Sequence, residues 1–215
     1  MIYSSSKNFL FIHVPKTAGT SIRSVLQPYG GHPGAINFIA RRLEFFPNFC
    51  NVLGLNAIRT YDSHTTYKKV SEILSAKALD NAFKFAFVRH PLDRLYSFYL
   101  HILAHPDHPW YKKINDYGSF STMIKNLDKV QEPTQLSYLT DKQGNFNVDF
   151  VGRLENINED FEFICSKIGV PFDLPKKNAR KHKDWREAYT SDEDIELAKK
   201  FYQEDFDQFG YETAL

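Results

Sequence analysis

The sequence predicts a layered α/β fold, with a central, mainly parallel β-sheet flanked by helices. Three observations carry that prediction. Short, nearly continuous apolar runs at residues 8–14 and 83–88 read as strands covered on both faces. Each run leads into a segment with helical spacing of its apolar residues. The alternation returns at 148–154 and 158–168, and strands that alternate with helices imply parallel pairing through helical crossovers.

Taken in order, Pro15 stops the first strand, and 20–26 reads as a helix with Ile22, Val25 and Leu26 at core spacing. YGGHP at 29–33 is a turn, 35–46 is helical, and 52–58 is a weak strand. Residues 65–76 form a helix with Val70, Ile73 and Leu74 on one face. Pro91 suits the first helical position, where its missing N–H costs nothing, so a helix is expected over 92–103. Pro106, Pro109 and Gly118 mark 104–117 as loop, and 119–127 is a short helix. The helix over 158–168 ends at Gly169, and 174–189 is irregular and basic. Thr190 with Glu193 makes a capping box for a last helix that runs to about 206. No repeat, low-complexity tract or linker interrupts this pattern, so residues 1–215 are expected to form a single domain.

Hydrophobic and charged contents of 42% and 25% are those of an ordinary soluble globular protein. A net charge of +1 speaks against a general nucleic-acid binder, so no nucleic acid is expected as partner. The aromatic share of 15% exceeds what a minimal core needs; most rings are expected in the core, and some in a groove suited to sugar or base faces. Cys50 and Cys165 lack CxxC spacing, which favours two reduced, buried thiols over a disulfide. The stretch MIYSSSKNFL has no basic region followed by a long apolar one, and no apolar run approaches the length of a transmembrane helix. A cytoplasmic protein with no transmembrane segment is the expectation. Its oligomeric state is open.

The loop PKTAGTS at 15–21 reads as an anion site. After a buried strand the chain turns, exposes backbone N–H groups and feeds a helix whose positive end faces the same spot. Gly19 allows close backbone approach or positive φ, and Thr17, Thr20 and Ser21 add hydroxyls. The nucleotide-kinase pattern GxxxxGK[ST] fails here, because Gly19 precedes Thr20 and the lysine stands at position 16. ATP with magnesium is therefore a poor fit. The alternative is a plain strand–turn–helix junction with a surface lysine.

A second anion site is indicated by FAFVRHPLDRLYSFY at 85–99. Arg89 ends a buried strand, and its guanidinium offers a fixed fork of donors suited to phosphate. Ser97, on the second turn of the following helix, has a hydroxyl to complete such a pocket. The alternatives are that Arg89 caps a carbonyl or pairs with Asp93, and that Ser97 packs on its own helix.

Jointly the two segments resemble the sulfotransferase superfamily, in particular the carbohydrate and heparan-type branch with its small bacterial members. IHVPKTAGTSI at 12–22 is similar to that family's 5′-phosphosulfate loop, and FVRHPLDRLYSFY at 87–99 to its 3′-phosphate motif. DFVGRLENINEDF at 149–161 and YQEDFDQFGY at 202–211 fit as well, so the likeness covers most of the chain. It implies a P-loop-like three-layer sandwich and transfer of a sulfuryl group from 3′-phosphoadenosine 5′-phosphosulfate (PAPS) to a carbohydrate or other hydroxyl-bearing acceptor, without metal. Carried over by position, Pro15, Lys16, Thr17, Gly19, Thr20 and Ser21 hold the 5′-phosphosulfate, and Arg89 and Ser97 the 3′-phosphate. Lys16 is the expected donor to the leaving phosphate.

His64, in DSHTTYKKV, resembles the functional histidine of the carbohydrate branch and is the expected base; the alternative is a cap on the helix near Thr65. His13 is expected to pack against or orient the first loop, and His90 to shape the turn before Pro91. His101, His105 and His108 have a spacing compatible with zinc, but prolines break the segment and no metal is expected. KKNARKHKDWR at 176–186 is either a flap that closes over the donor nucleotide or meets an anionic acceptor, or an ordinary solvated loop, and Arg153 and Glu155 either face the site or cap and pair internally. Two rival functions remain at this level: a P-loop-like nucleotide kinase, and a non-catalytic nucleotide-binding module.

Overall fold

A computed structural model describes residues 1–30, 64–130, 132–175 and 184–212. The helix expected over 35–46, the strand over 52–58, Cys50 and most of the basic stretch 176–186 lie outside the described residues. In chain order the elements are β1 (Ile2–Ser4), β2 (Phe9–Ile12), α1 (Gly19–Leu26), α2 (Tyr67–Val70), α3 (Ala76–Asn81), β3 (Phe83–Val88) and α4 (Pro91–Leu103). There follow α5 (Tyr111–Asp116), α6 (Phe120–Ile124), α7 (Leu127–Val130), α8 (Gln135–Leu139), β4 (Phe150–Arg153), α9 (Ile157–Ile168), α10 (Asp192–Phe201) and α11 (Gln203–Phe209). The fold is α/β, with a four-stranded, mostly parallel sheet flanked by helices.

The chain divides into two compact units, Met1–Phe87 with Ser137–Lys177, and Val88–Leu136 with Asn178–Leu215. The first unit holds the sheet, in the order β1-β2-β3-β4. β2 and β3 pair in parallel, Phe9 opposite Phe83 and Phe11 opposite Phe85. Phe9, Phe11, Phe85 and Phe87 point to one face and pack with Ile22 and Leu26 of α1 and Phe161, Ile164 and Ile168 of α9. Leu10, Ile12 and Ala86, which alternate with them, are also fully buried. Cover on both faces explains why these strands read as nearly continuous apolar runs, with Lys84 the one charged residue in β3. β1 adds an antiparallel edge that the sequence reading missed. It is three residues long, and a tight turn joins it to β2, with the N–H of Lys7 donating to Ser4 Oγ at 3.2 Å.

The second unit is helical, built around Leu92, Leu95, Phe98 and Ile102 of α4. Met123 and Ile124 of α6, Ala198 of α10, and Tyr202 and Phe206 pack with them. Tyr189 is buried among these side chains, and its hydroxyl donates to the carbonyl of Leu92 at 2.9 Å.

Several boundaries differ from the sequence reading. Of the helix expected over 65–76 only Tyr67–Val70 and the final residue are helical; Ala76 opens a separate helix that runs to Asn81, capped by Ser75, which accepts from the N–H of Ala78. The expected loop over 104–117 contains α5, anchored by the buried Ile114. The last helix begins one residue later than its expected box: Ser191, not Thr190, caps α10 by accepting from the N–H of Asp194. It also breaks at Tyr202, which ends α10 and starts α11.

Candidate functional site

The first candidate segment is the turn between β2 and α1. Lys16 and Ala18 adopt left-handed backbone, with φ of 69° and 60°, whereas Thr17 between them does not. That conformation costs a non-glycine residue about 1–2 kcal/mol, and such strain gathers at functional loops. Left-handed residues next to right-handed ones are the ingredient from which anion nests are built, and this turn supplies two of them. Thr17 is fully buried, and its hydroxyl donates to the carbonyl of Val14 at 2.8 Å, so this side chain braces the loop.

α1 then starts from Ala18, which provides no side-chain cap, and carries no acidic residue in its first turn. The helix's own side chains therefore leave its positive end uncompensated, which suits a bound anion. Ser21 is buried in that first turn, Thr20 is exposed beside it, and Pro15 and Lys16 are half-buried.

Gly19 packs directly against the ring of His13. A Cβ placed there would stand 1.7 Å from Nε2 of His13 and 2.0 Å from its Cδ2. The His13 ring is buried, stacks on Phe11 at 5.9 Å between centroids, and lies 4.6 Å from the ring of His64. Gly19 and His64 thus meet the same buried imidazole. His64 is exposed and precedes α2, whose N-cap is Thr66, so it is not the cap of that helix.

The second segment runs from the end of β3 into α4. His90 occupies the N-cap position and Pro91 opens the helix, as expected. Arg89 pairs with Asp93: Nε donates to Oδ2 at 2.7 Å and Nη2 to Oδ1 at 2.5 Å. One alternative weighed from the sequence is therefore present, and it fixes the plane of the guanidinium. Asp93 also lies in the first turn of α4, where the helix dipole favours a carboxylate. Ser97 is half-buried on the second turn. His90 stacks on Trp185 at 4.7 Å, and Arg186 lies 4.5 Å over the indole.

Behind Arg89 stands a residue the sequence reading did not name. The Gln135 amide is wholly buried; its Oε1 accepts the N–H of Arg89 at 2.9 Å and its Nε2 donates to the Arg89 carbonyl at 2.8 Å. Nothing in the local sequence around Gln135 signals a partner so distant in the chain.

The family model described as the sulfotransferase family matches residues 1–212. The chain belongs to the sulfotransferase family. The match includes both segments described above. No curated protein and no solved structure matches the chain. Membership assigns this sulfotransferase to sulfuryl transfer, which in general means a hydroxyl-bearing acceptor, and the family generally draws on PAPS.

Other groups weighed from the sequence have structural surroundings in the sulfotransferase. His105 Nδ1 bonds the carbonyl of His101 at 2.7 Å, and His108 Nδ1 accepts the N–H of Trp110 at 3.1 Å. Among the described residues no group of His, Cys, Asp or Glu is arranged to hold a metal ion. Among those residues too, no helix is long and apolar enough to cross a membrane. Cys165 is a buried free thiol, pushed up to about 11 by burial, and so is a poor nucleophile. The N–H of Arg153 donates to Asp160 Oδ2 at 2.7 Å, tying the end of β4 to α9.

Proposed function

We propose that this sulfotransferase takes its sulfuryl group from PAPS and places it on a hydroxyl of a carbohydrate acceptor, without a metal ion. The observation that carries the reading is the uncapped, acid-free start of α1 behind the left-handed Lys16 and Ala18. These residues fit a phosphosulfate: a helix N-terminus and a nest supply N–H donors, Lys16 supplies charge, and Gly19 lets the backbone come close. Arg89, oriented by Asp93, and Ser97 fit the 3′-phosphate. The fold that accompanies this reading is the P-loop-like three-layer sandwich, acting as one domain across 1–215.

Bound PAPS supplies an activated sulfuryl group. In-line transfer of this kind passes through a loose transition state in which positioning and charge stabilisation dominate. The S–O bond to the 5′-phosphate breaks as a new S–O bond forms to the acceptor oxygen. The electron pair of the broken bond stays on the phosphate oxygen, where Lys16 and loop N–H groups donate. His64 accepts the acceptor's hydroxyl proton, and an exposed imidazole beside the loop is suited to that task. The carbohydrate acceptor is supported by the resemblance to the carbohydrate branch and by the 15% aromatic content.

Incubation with PAPS, EDTA and a panel of mono- and oligosaccharides tests the reading. Sulfated sugar and stoichiometric 3′-phosphoadenosine 5′-phosphate are expected. Transfer only to phenols or peptides would overturn the acceptor class, and failure to consume PAPS with any acceptor would overturn the function.

A further inference from the structure

We infer that Gln135 is the positioning residue for Arg89 and thereby sets how strongly the enzyme prefers nucleotides carrying a 3′-phosphate. The inference rests on the assignment of Arg89 to that phosphate under the proposed function. β3 ends at Val88, so Arg89 stands one residue beyond the sheet. The Gln135 amide pairs with both its N–H and its carbonyl, as a neighbouring strand would. Two bonds to one residue fix its backbone orientation, where a single bond would leave a pivot.

The amide is itself held. Asp205 is wholly buried, and its two carboxylate oxygens accept the N–H groups of Gln135 and Leu136, at 2.9 and 2.8 Å. A few residues earlier, the buried Arg94 of α4 pairs with Glu132 and donates to the carbonyl of Pro133 at 3.0 Å. The segment carrying Gln135 is thus anchored on both sides by buried charged groups. Asp93 meanwhile fixes the guanidinium plane. Arg89 is therefore oriented at its backbone by Gln135 and at its head by Asp93. A bidentate phosphate contact requires such orientation, because its two parallel N–H···O bonds form only when the guanidinium plane is correctly set.

Two substitutions separate the functions of the amide. Gln135→Met keeps the length and removes both hydrogen bonds. Gln135→Glu, when ionised, keeps the acceptor and sets an oxygen against the Arg89 carbonyl; when protonated, it restores the donor. Affinities for 3′-phosphoadenosine 5′-phosphate and for 5′-AMP are measured by titration calorimetry, alongside melting temperature. Loss of a buried hydrogen-bond partner predicts affinity for the bisphosphate about 5- to 100-fold weaker in both variants at neutral pH. Affinity for 5′-AMP is expected to stay within about threefold, since that ligand makes no use of Arg89. When the titrations are repeated at acid pH, the preference of Gln135→Glu is expected to recover toward the value that the wild type shows at that pH. This recovery carries the test if Gln135→Met does not fold. A folded variant that keeps the wild-type ratio of the two affinities overturns the role of Gln135. A wild type with no preference for the bisphosphate overturns instead the assignment of Arg89 on which the role rests.

Discussion

The imidazole of His13 fills the space that any side chain at Gly19 would need, with Nε2 1.7 Å from the position of a Cβ. The pair explains why the turn between β2 and α1 ends in glycine at a residue whose φ is not positive. Gly19→Ala is expected to destabilise the protein by about 1–3 kcal/mol through overpacking and to weaken nucleotide binding. In a His13→Ala background the same change is expected to cost far less, giving a coupling energy of about 1–3 kcal/mol in a double-mutant cycle. Additive effects on the melting temperature would show that the ring is not the obstacle.

Lys16→Ala is expected to lower kcat by about 10²–10³, the usual consequence of removing a donor from developing negative charge. Affinity for 3′-phosphoadenosine 5′-phosphate should change much less, because the loop N–H groups and the α1 terminus remain. Single-turnover rates and titration calorimetry read the two effects separately. A variant that loses affinity but keeps kcat would reassign Lys16 from the transition state to ground-state binding.

His64 is exposed, so His64→Ala should leave the melting temperature close to that of the wild type. Its kcat is expected to fall by about 10²–10⁴, the range for loss of a general base. Near-normal turnover in a folded His64→Ala protein would move the proton-accepting role to another group.

Burial raises the Asp205 carboxyl above its ordinary value of 3.8, and the N–H groups of Gln135 and Leu136 offset this only in part. The native chain therefore holds this proton to higher pH than the unfolded chain does. Between 3.8 and the raised native value the native state binds more protons, so this group's contribution to stability falls as pH rises. Urea unfolding of the wild type and Asp205→Asn across acid to neutral pH isolates the effect. The wild type should lose stability relative to the variant as pH rises through that interval. A relative gain would contradict the sign.

The strands and helices that carry the site were legible because their residues obey one period over a sufficient length. β3 lies where its apolar run predicted, and α4 starts at Pro91 for the reason proline suits that position. Short elements were less legible. β1 has three residues, and α2 and α3 are separated by a serine cap whose effect a 3.6-residue pattern does not register. The two loops were visible as residue types, but not the division of labour within them. Positive φ falls on Lys16 and Ala18 rather than on Gly19, and the Thr17 hydroxyl turns back to Val14. Gln135 was invisible because a glutamine whose amide pairs with a distant backbone has no local signature.

The most direct test of the account is calorimetric titration of the wild-type protein in EDTA with 3′-phosphoadenosine 5′-phosphate, 5′-AMP and 3′-AMP. The proposed charge-assisted contacts of Lys16 with the 5′-phosphate and of Arg89 with the 3′-phosphate predict that the bisphosphate binds more than about tenfold tighter than either monophosphate. Equal affinity for the bisphosphate and 5′-AMP, or binding that appears only when magnesium is added, would contradict it.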